Sequence, residues 1–219
     1  MGLLLLLMTV GGLMTASLLL IIAVVAKKLW LRNFVLGGVA IWFVFYFAML
    51  FGVSLFSTEK TLALNEPKEF CGFYFDCHMH TAITDVRKTK NIGDKTAKGE
   101  FYIVKVKVLS DARRATLGLL TVDARVIDER KQQFERDLQA EIELGEQPPF
   151  EKKITPLESF EKEIVFDLPP DSTNPLLDIR EGYGIDHAIE AVLIGDEDSI
   201  FHKRNYFKLE EQKRLTYVN

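Results

Sequence analysis

The sequence predicts a two-helix transmembrane hairpin followed by an all-β sandwich that carries a short helix or long loop insertion. Three observations predict it. Two long apolar runs, Gly2 to Ala26 and Phe34 to Phe56, stand back to back at the N-terminus. A basic connector, Lys27-Lys28-Leu29-Trp30-Leu31-Arg32-Asn33, divides them. Beyond residue 57 the apolar residues fall into short alternating runs broken by turn residues, which is the pattern of half-buried strands.

The hairpin occupies residues 1–56, with spans at about 3–26 and 34–56. At about 1.5 Å per residue its apolar runs reach roughly 37 and 34 Å, enough to cross a hydrocarbon core of about 30 Å with some tilt. The connector holds three cations and no acid, whereas residues 57–76 hold two lysines against three glutamates and one aspartate. Basic loops stay in the cytoplasm, so the expectation is an integral protein of the cytoplasmic membrane with both termini and the β domain extracytoplasmic. A secretory signal peptide is the rival for the first run, but Met1-Gly2-Leu3-Leu4 lacks a basic start and the run is about twice a usual signal core.

Neither span contains an ionisable side chain, which removes the usual mark of a proton or ion path. Gly11, Gly12 and Ala16, with Gly37, Gly38 and Ala40, would let the two backbones pack closely. Trp30 suits the headgroup zone, and Trp42 reads as packing.

With the three connector cations set aside, 24 Lys and Arg face 31 Asp and Glu, a net of −7 outside the spans. That balance lacks the basic footprint of nucleic-acid binding. About 160 residues remain for one core.

Residues 57–78 read as a juxtamembrane linker carrying a cysteine pair, 79–209 as the sandwich, and 210–219 as a polar tail. The first strand candidate, His80 to Val86, closes at an Asn91-Ile92-Gly93-Asp94 turn. In Phe101 to Val108, Tyr102, Val104, Val106 and Val108 share one face while Lys105 and Lys107 look to water. Thr121 to Ile127 turns Val122, Ala124 and Val126 inward and passes through the charged turn Asp128-Glu129-Arg130-Lys131 toward Phe134, so a hairpin follows. Glu135 to Leu144 favours helix before Gly145 and Pro148-Pro149, which makes Phe134 to Ile154 the insertion. Phe160 to Leu168 alternates until Pro169-Pro170 removes the amide donors. Leu176 to Ile179, Ile189 to Ile194 and Tyr206 to Leu209 supply the remaining short apolar pieces. About seven short strands separated by turns make a sandwich.

The alternating strand after Gly99-Glu100-Phe101, and the Gly195-Asp196-Glu197-Asp198-Ser199 turn before Tyr206-Phe207-Lys208-Leu209, resemble the immunoglobulin-like domains of unknown function in bacterial membrane-anchored envelope proteins. The resemblance covers roughly residues 79–209. It implies an immunoglobulin-like sandwich and an envelope location, and it implies no reaction.

Cys71-Gly72-Phe73-Tyr74-Phe75-Asp76-Cys77-His78-Met79-His80 gathers both cysteines and two of the four histidines. In an oxidising compartment Cys71 and Cys77 read as one disulfide, provided the chain reverses near Gly72. Alternatively, Cys71, Cys77, His78 and His80 could ligate copper or zinc as soft and borderline donors. A regular strand puts the two histidines on one face and Cys77 on the other, so such a site needs a bend. Two reduced, buried thiols are the third reading.

The layout is also similar to subunit two of haem-copper oxidases, whose outer sandwich holds copper, but the ligand spacing of that family is absent here. Asp196 to Ser199 lacks the spacing of a dedicated calcium loop. His187 and His202 stand apart from any nucleophile in the sequence. The expected role is a non-enzymatic binding protein without a cofactor, held by the lipid bilayer and meeting a protein partner in the envelope; a copper-handling or redox module is the alternative.

Overall fold

A computed structural model describes residues 2–72 and 76–209. In chain order the elements are α1 (Gly2–Val25), α2 (Leu29–Leu55), β1 (Lys60–Leu62), β2 (Lys68–Gly72), β3 (Asp76–Ile92), β4 (Lys95–Ser110), β5 (Val122–Ile127), β6 (Gln133–Glu135), α3 (Leu138–Ile142), β7 (Ser159–Leu168), β8 (Leu176–Glu181), α4 (Gly184–Glu190) and β9 (Asn205–Lys208). Two units form: Met1–Glu59 with Gly184–Arg204, and Lys60–Tyr183 with Asn205–Asn219. The polar tail read at 210–219 lies outside the described residues.

In the first unit, unbroken runs of Leu, Ala, Val and Phe without proline favour two long helices. Helix α1 ends in a Schellman motif. Lys27 takes φ 53, its N–H donates to Val24 O, and the Lys28 N–H donates to Ala23 O. This reversal is tight enough for α2 to begin at Leu29, so Trp30, Arg32 and Asn33, expected in the connector, lie in its first turns. Among the described residues of the pair, only Thr9, Ala23, Val35, Tyr46, Leu50 and Ser54 are buried.

The glycines do not bring the helices together. A Cβ on Gly11, Gly12, Gly37 or Gly38 would meet nothing within 4 Å. A groove of about 450 Å³, lined among others by Gly12, Ala16, Phe34, Gly38 and Trp42, runs between the helices. Phe34 and Trp42 line this groove, and the Trp42 indole donates to Thr9 Oγ1 at 3.0 Å.

The second unit consists of two sheets, β1-β9-β8-β5-β6 and β2-β3-β4-β7. Stretch 57–78 contributes β1, parallel to β9, and β2, antiparallel to β3. Gly93, at φ 52, opens the two-residue turn between β3 and β4, where positive φ is required. An extra residue at Thr84 breaks the β3–β4 register between Ile83 and Asp85, so the inward parity passes from Met79, Thr81 and Ile83 to Val86. The core forms where Tyr102, Val104, Val106 and Val108 of β4, with Phe160, Ile164 and Phe166 of β7, meet Ala124, Val126, Leu177, Ile179 and Phe207 of the other sheet. These are the faces the alternation predicts for β4 and β5.

Phe101 and Ile103 point the other way and are buried too, beneath Ala140 and Leu144 of the insertion. The insertion also closes the free edge of β7. Asp137 N–H donates to Val165 O at 2.8 Å, the Val165 N–H donates to Glu141 Oε1 at 3.2 Å, and Gln147 exchanges hydrogen bonds with the Glu163 backbone at 2.6 and 3.3 Å. An open strand edge is a template for aggregation, and here the insertion occupies it with backbone and side-chain groups. Glu141 is held in place by Arg136, which grips both its oxygens at 2.8 and 2.6 Å.

Residues Ile189 to Ile194 depart from the expected strand. The stretch forms the end of α4 and a set of turns, and Ile194 packs with Leu5, Tyr46 and Leu50 of the hairpin. Its apolar side chains find cover on a helix rather than a strand partner.

Candidate functional site

Strand β3 sorts the unusual decapeptide by face. Met79 enters the core, so alternation turns His78 and His80 outward, where both meet Asp111, the residue after β4. The pairing of Met79 with Ser110 carries one step further, as the Asp111 N–H donates to His78 O at 3.1 Å. His78 Nδ1 lies 2.7 Å from Asp111 Oδ1 and His80 Nε2 lies 3.5 Å from Oδ2, so one carboxylate bridges two imidazoles. His80 is largely covered, while His78 and Asp111 are open to solvent. The hydrogen bond from His78, and then that from His80, holds the Asp111 carboxyl below the usual carboxylate range.

Cys71 and Cys77 form a disulfide six residues apart, clipping β2 to the start of β3. The four proposed metal donors therefore divide into two pairs. The sulfurs are bonded to each other, and the imidazoles engage Asp111. In this oxidised form neither cysteine presents the thiolate that copper or zinc would take. Asp111 carried no sequence signal of its own, since its meeting with His78 depends on the irregular register of the β3–β4 hairpin.

Three residues before the disulfide, Lys68 carries a buried charge. It points from β2 to the place where β8 and β9 separate, beyond the paired Leu177 and Phe207. Its ammonium donates to Ile179 O at 2.9 Å and to Asn205 O at 3.3 Å, and lies 4.0 Å from the Asp178 carboxylate. Asp178 is 1% exposed and has Arg180 Nε 3.6 Å from its other oxygen. The cation thus joins strands of both sheets where their own ladder stops.

A second polar cluster lies in residues 184–204. His187 Nδ1 sits 2.9 Å from Glu190 Oε2, one helical turn on, and 3.9 Å from Asp198 Oδ2. Arg204 holds the other Asp198 oxygen at 2.7 Å. Both histidine sites thus pair imidazole with carboxylate. The spacing of His187 and Glu190 is legible only once a helix is recognised there.

No family model matches the chain, and no curated protein matches it. Among solved structures it is similar to the secreted protein MPT63 of Mycobacterium tuberculosis, at 11% identity over 71% of this chain and 99% of that one, with a TM-score of 0.40. It is similar to the yjhA protein of Bacillus subtilis, at 13% identity over 68% and 98%, with a TM-score of 0.42. A β-sandwich protein of Clostridium difficile matches at 10% identity over 70% and 97%, with a TM-score of 0.34.

Proposed function

We propose that this chain is a membrane-anchored, extracytoplasmic binding protein of the bacterial envelope, non-enzymatic, whose sandwich meets a protein partner. One observation carries the reading. Helices of 24 and 27 residues, free of acids and with Arg32 near the start of the second as their one cation, leave most of their large apolar side chains exposed. Water does not tolerate such a surface, and lipid does. The core helix of a soluble protein would be buried, and a signal sequence would account for the first helix alone.

The basic connector supports placing the turn between the helices in the cytoplasm, with the sandwich outside. The disulfide fits that compartment, because such bonds persist where the surroundings are oxidising. An immunoglobulin-like arrangement is supported by the path of the chain, which crosses between sheets from β4 to β5, from β6 to β7 and from β7 to β8.

Mild crosslinking of native membranes, followed by purification of the full chain, tests the function. A discrete protein companion is expected. Recovery of the chain alone across the range of crosslinker lengths would overturn the binding role, and its appearance in the soluble fraction of lysed cells would overturn the anchor.

A further inference from the structure

Residues 184–204 leave the sandwich between β8 and β9 and return to it after packing on the hairpin. Tyr46 OH donates to Val192 O at 2.7 Å, Ser54 and Ser199 share a hydroxyl hydrogen bond at 3.3 Å, and Ile194 lies against Leu5, Tyr46 and Leu50. A Cβ on Gly2 would run into Ile194 O, so this segment covers the start of α1. These contacts fix its depth. Tyr46 stands about 13 Å before the end of α2 at Leu55, by helical rise. A hydrocarbon core of about 30 Å that begins just after Arg32 ends close to Ser54, leaving Tyr46 well inside it.

A non-helical segment survives at that depth only if its backbone polar groups have partners. Here Ala191, Val192 and Leu193 donate back to His187, Ile189 and Glu190, Ile200 donates to Ala191 O, and Ser199 and His202 close successive turns. Four of its ionisable side chains are paired, His187 with Glu190 and Arg204 with Asp198.

Apart from Lys203, the large side chains that face outward are apolar. Phe43, Phe47 and Phe51 stack along α2 at 6.0 Å spacings, and Phe201 extends the series, 5.9 Å from Phe51. Phe201 is 68% exposed and Ile185 is 72% exposed, and Ile200 is also open. The aromatic ladder of a lipid-facing helix thus continues without a break onto the excursion.

We propose that residues 184–204 form a membrane-inserted loop, with Phe201, Ile200 and Ile185 among the acyl chains of the leaflet in which α2 ends. The loop would give the sandwich a third attachment to the bilayer, beside the two helices. This inference rests on the membrane-spanning reading of α1 and α2, and the test separates the two.

Cys71 and Cys77 are the only native cysteines and are joined, so an introduced cysteine is the free thiol. Full-length F201C, I185C, I41C and K95C chains would be labelled with the fluorophore NBD and reconstituted in phosphatidylcholine vesicles containing doxyl-labelled lipid. Ile41 is an exposed position midway along α2, and Lys95 is an exposed position at the β3–β4 turn. The loop reading expects F201C and I185C to lose most of their emission, as I41C does, while K95C keeps its own. Emission from F201C and I185C that survives like that of K95C, with I41C quenched, would overturn the inserted loop and leave the hairpin standing. Unquenched I41C would overturn the membrane reading, and the loop with it.

Discussion

Lys68 and Asp178 illustrate how much single residues carry here. The ammonium closes the gap between β8 and β9, and its partner carboxylate is almost fully buried. Replacing Lys68 with Met keeps the volume but leaves a buried negative charge and two strand carbonyls short of their donor. Lys68→Met is expected to cost about 3 kcal/mol, the low end for breaking a buried pair because Arg180 remains close to Asp178. Urea unfolding of the detergent-solubilised chain, followed by its far-UV β signal, checks this; a loss below about 1 kcal/mol would show the charge is solvated after all. Nothing in the sequence marked Lys68 as buried, since one lysine in a polar stretch reads as surface. Asp111 yields a different prediction. Its carboxyl is depressed chiefly by the His78 hydrogen bond, so that bond contributes to stability above the ordinary carboxylate range and is lost as pH falls through the depressed value. In His78→Gln the Asp111 midpoint, read by carboxyl NMR, is expected to rise toward the ordinary range; an unchanged midpoint would remove His78 as the cause.

At the scale of elements, alternation made the inner faces of β4 and β5 legible, and Pro169-Pro170 marked the end of β7. The register of β3 on β4 was not legible. Continued from Asn91 opposite Thr96, a regular hairpin would place His78 opposite Leu109; two irregularities move it to Asp111 instead. A short helix or long loop was expected over Glu135 to Leu144; the helix spans only Leu138–Ile142, Glu135 pairs with β5 as part of β6, and the helix's task was not legible because its partners on β7 are distant in sequence. Glu141→Ala would leave Arg136 without its carboxylate and the Val165 N–H without its acceptor. A loss of about 1–3 kcal/mol is expected, with faster hydrogen exchange at Val165. Protection at Val165 that matches the parent would show the edge is sealed by something else. The clip between β2 and β3 closes a short loop, so replacing Cys71 and Cys77 together with serine is expected to cost roughly 2 kcal/mol by loop-closure entropy. Thermal unfolding with and without reductant measures it, and a parent chain indifferent to reductant would contradict the estimate.

On the scale of the whole molecule, hydropathy revealed the two helices and their length, because lipid demands a long apolar run and little else imitates one. It did not reveal that residues 184–204 belong with them. Their apolar pieces are short, and they sit between two strands of a sandwich. The groups that identify their neighbours, the Tyr46 hydroxyl and Ser54, lie far back in the chain. Composition left chemistry open, since an acidic balance and one disulfide are compatible with many binding roles.

The most direct measurement is thiol labelling of intact cells with a membrane-impermeant maleimide, using single-cysteine variants of the full chain in which Cys71 and Cys77 stay bonded. K95C, at the exposed turn between β3 and β4, should label from outside, whereas K28C, in the basic turn between the helices, should label only after the membrane is permeabilised. Labelling of K28C in intact cells with K95C protected would invert the topology and contradict the account.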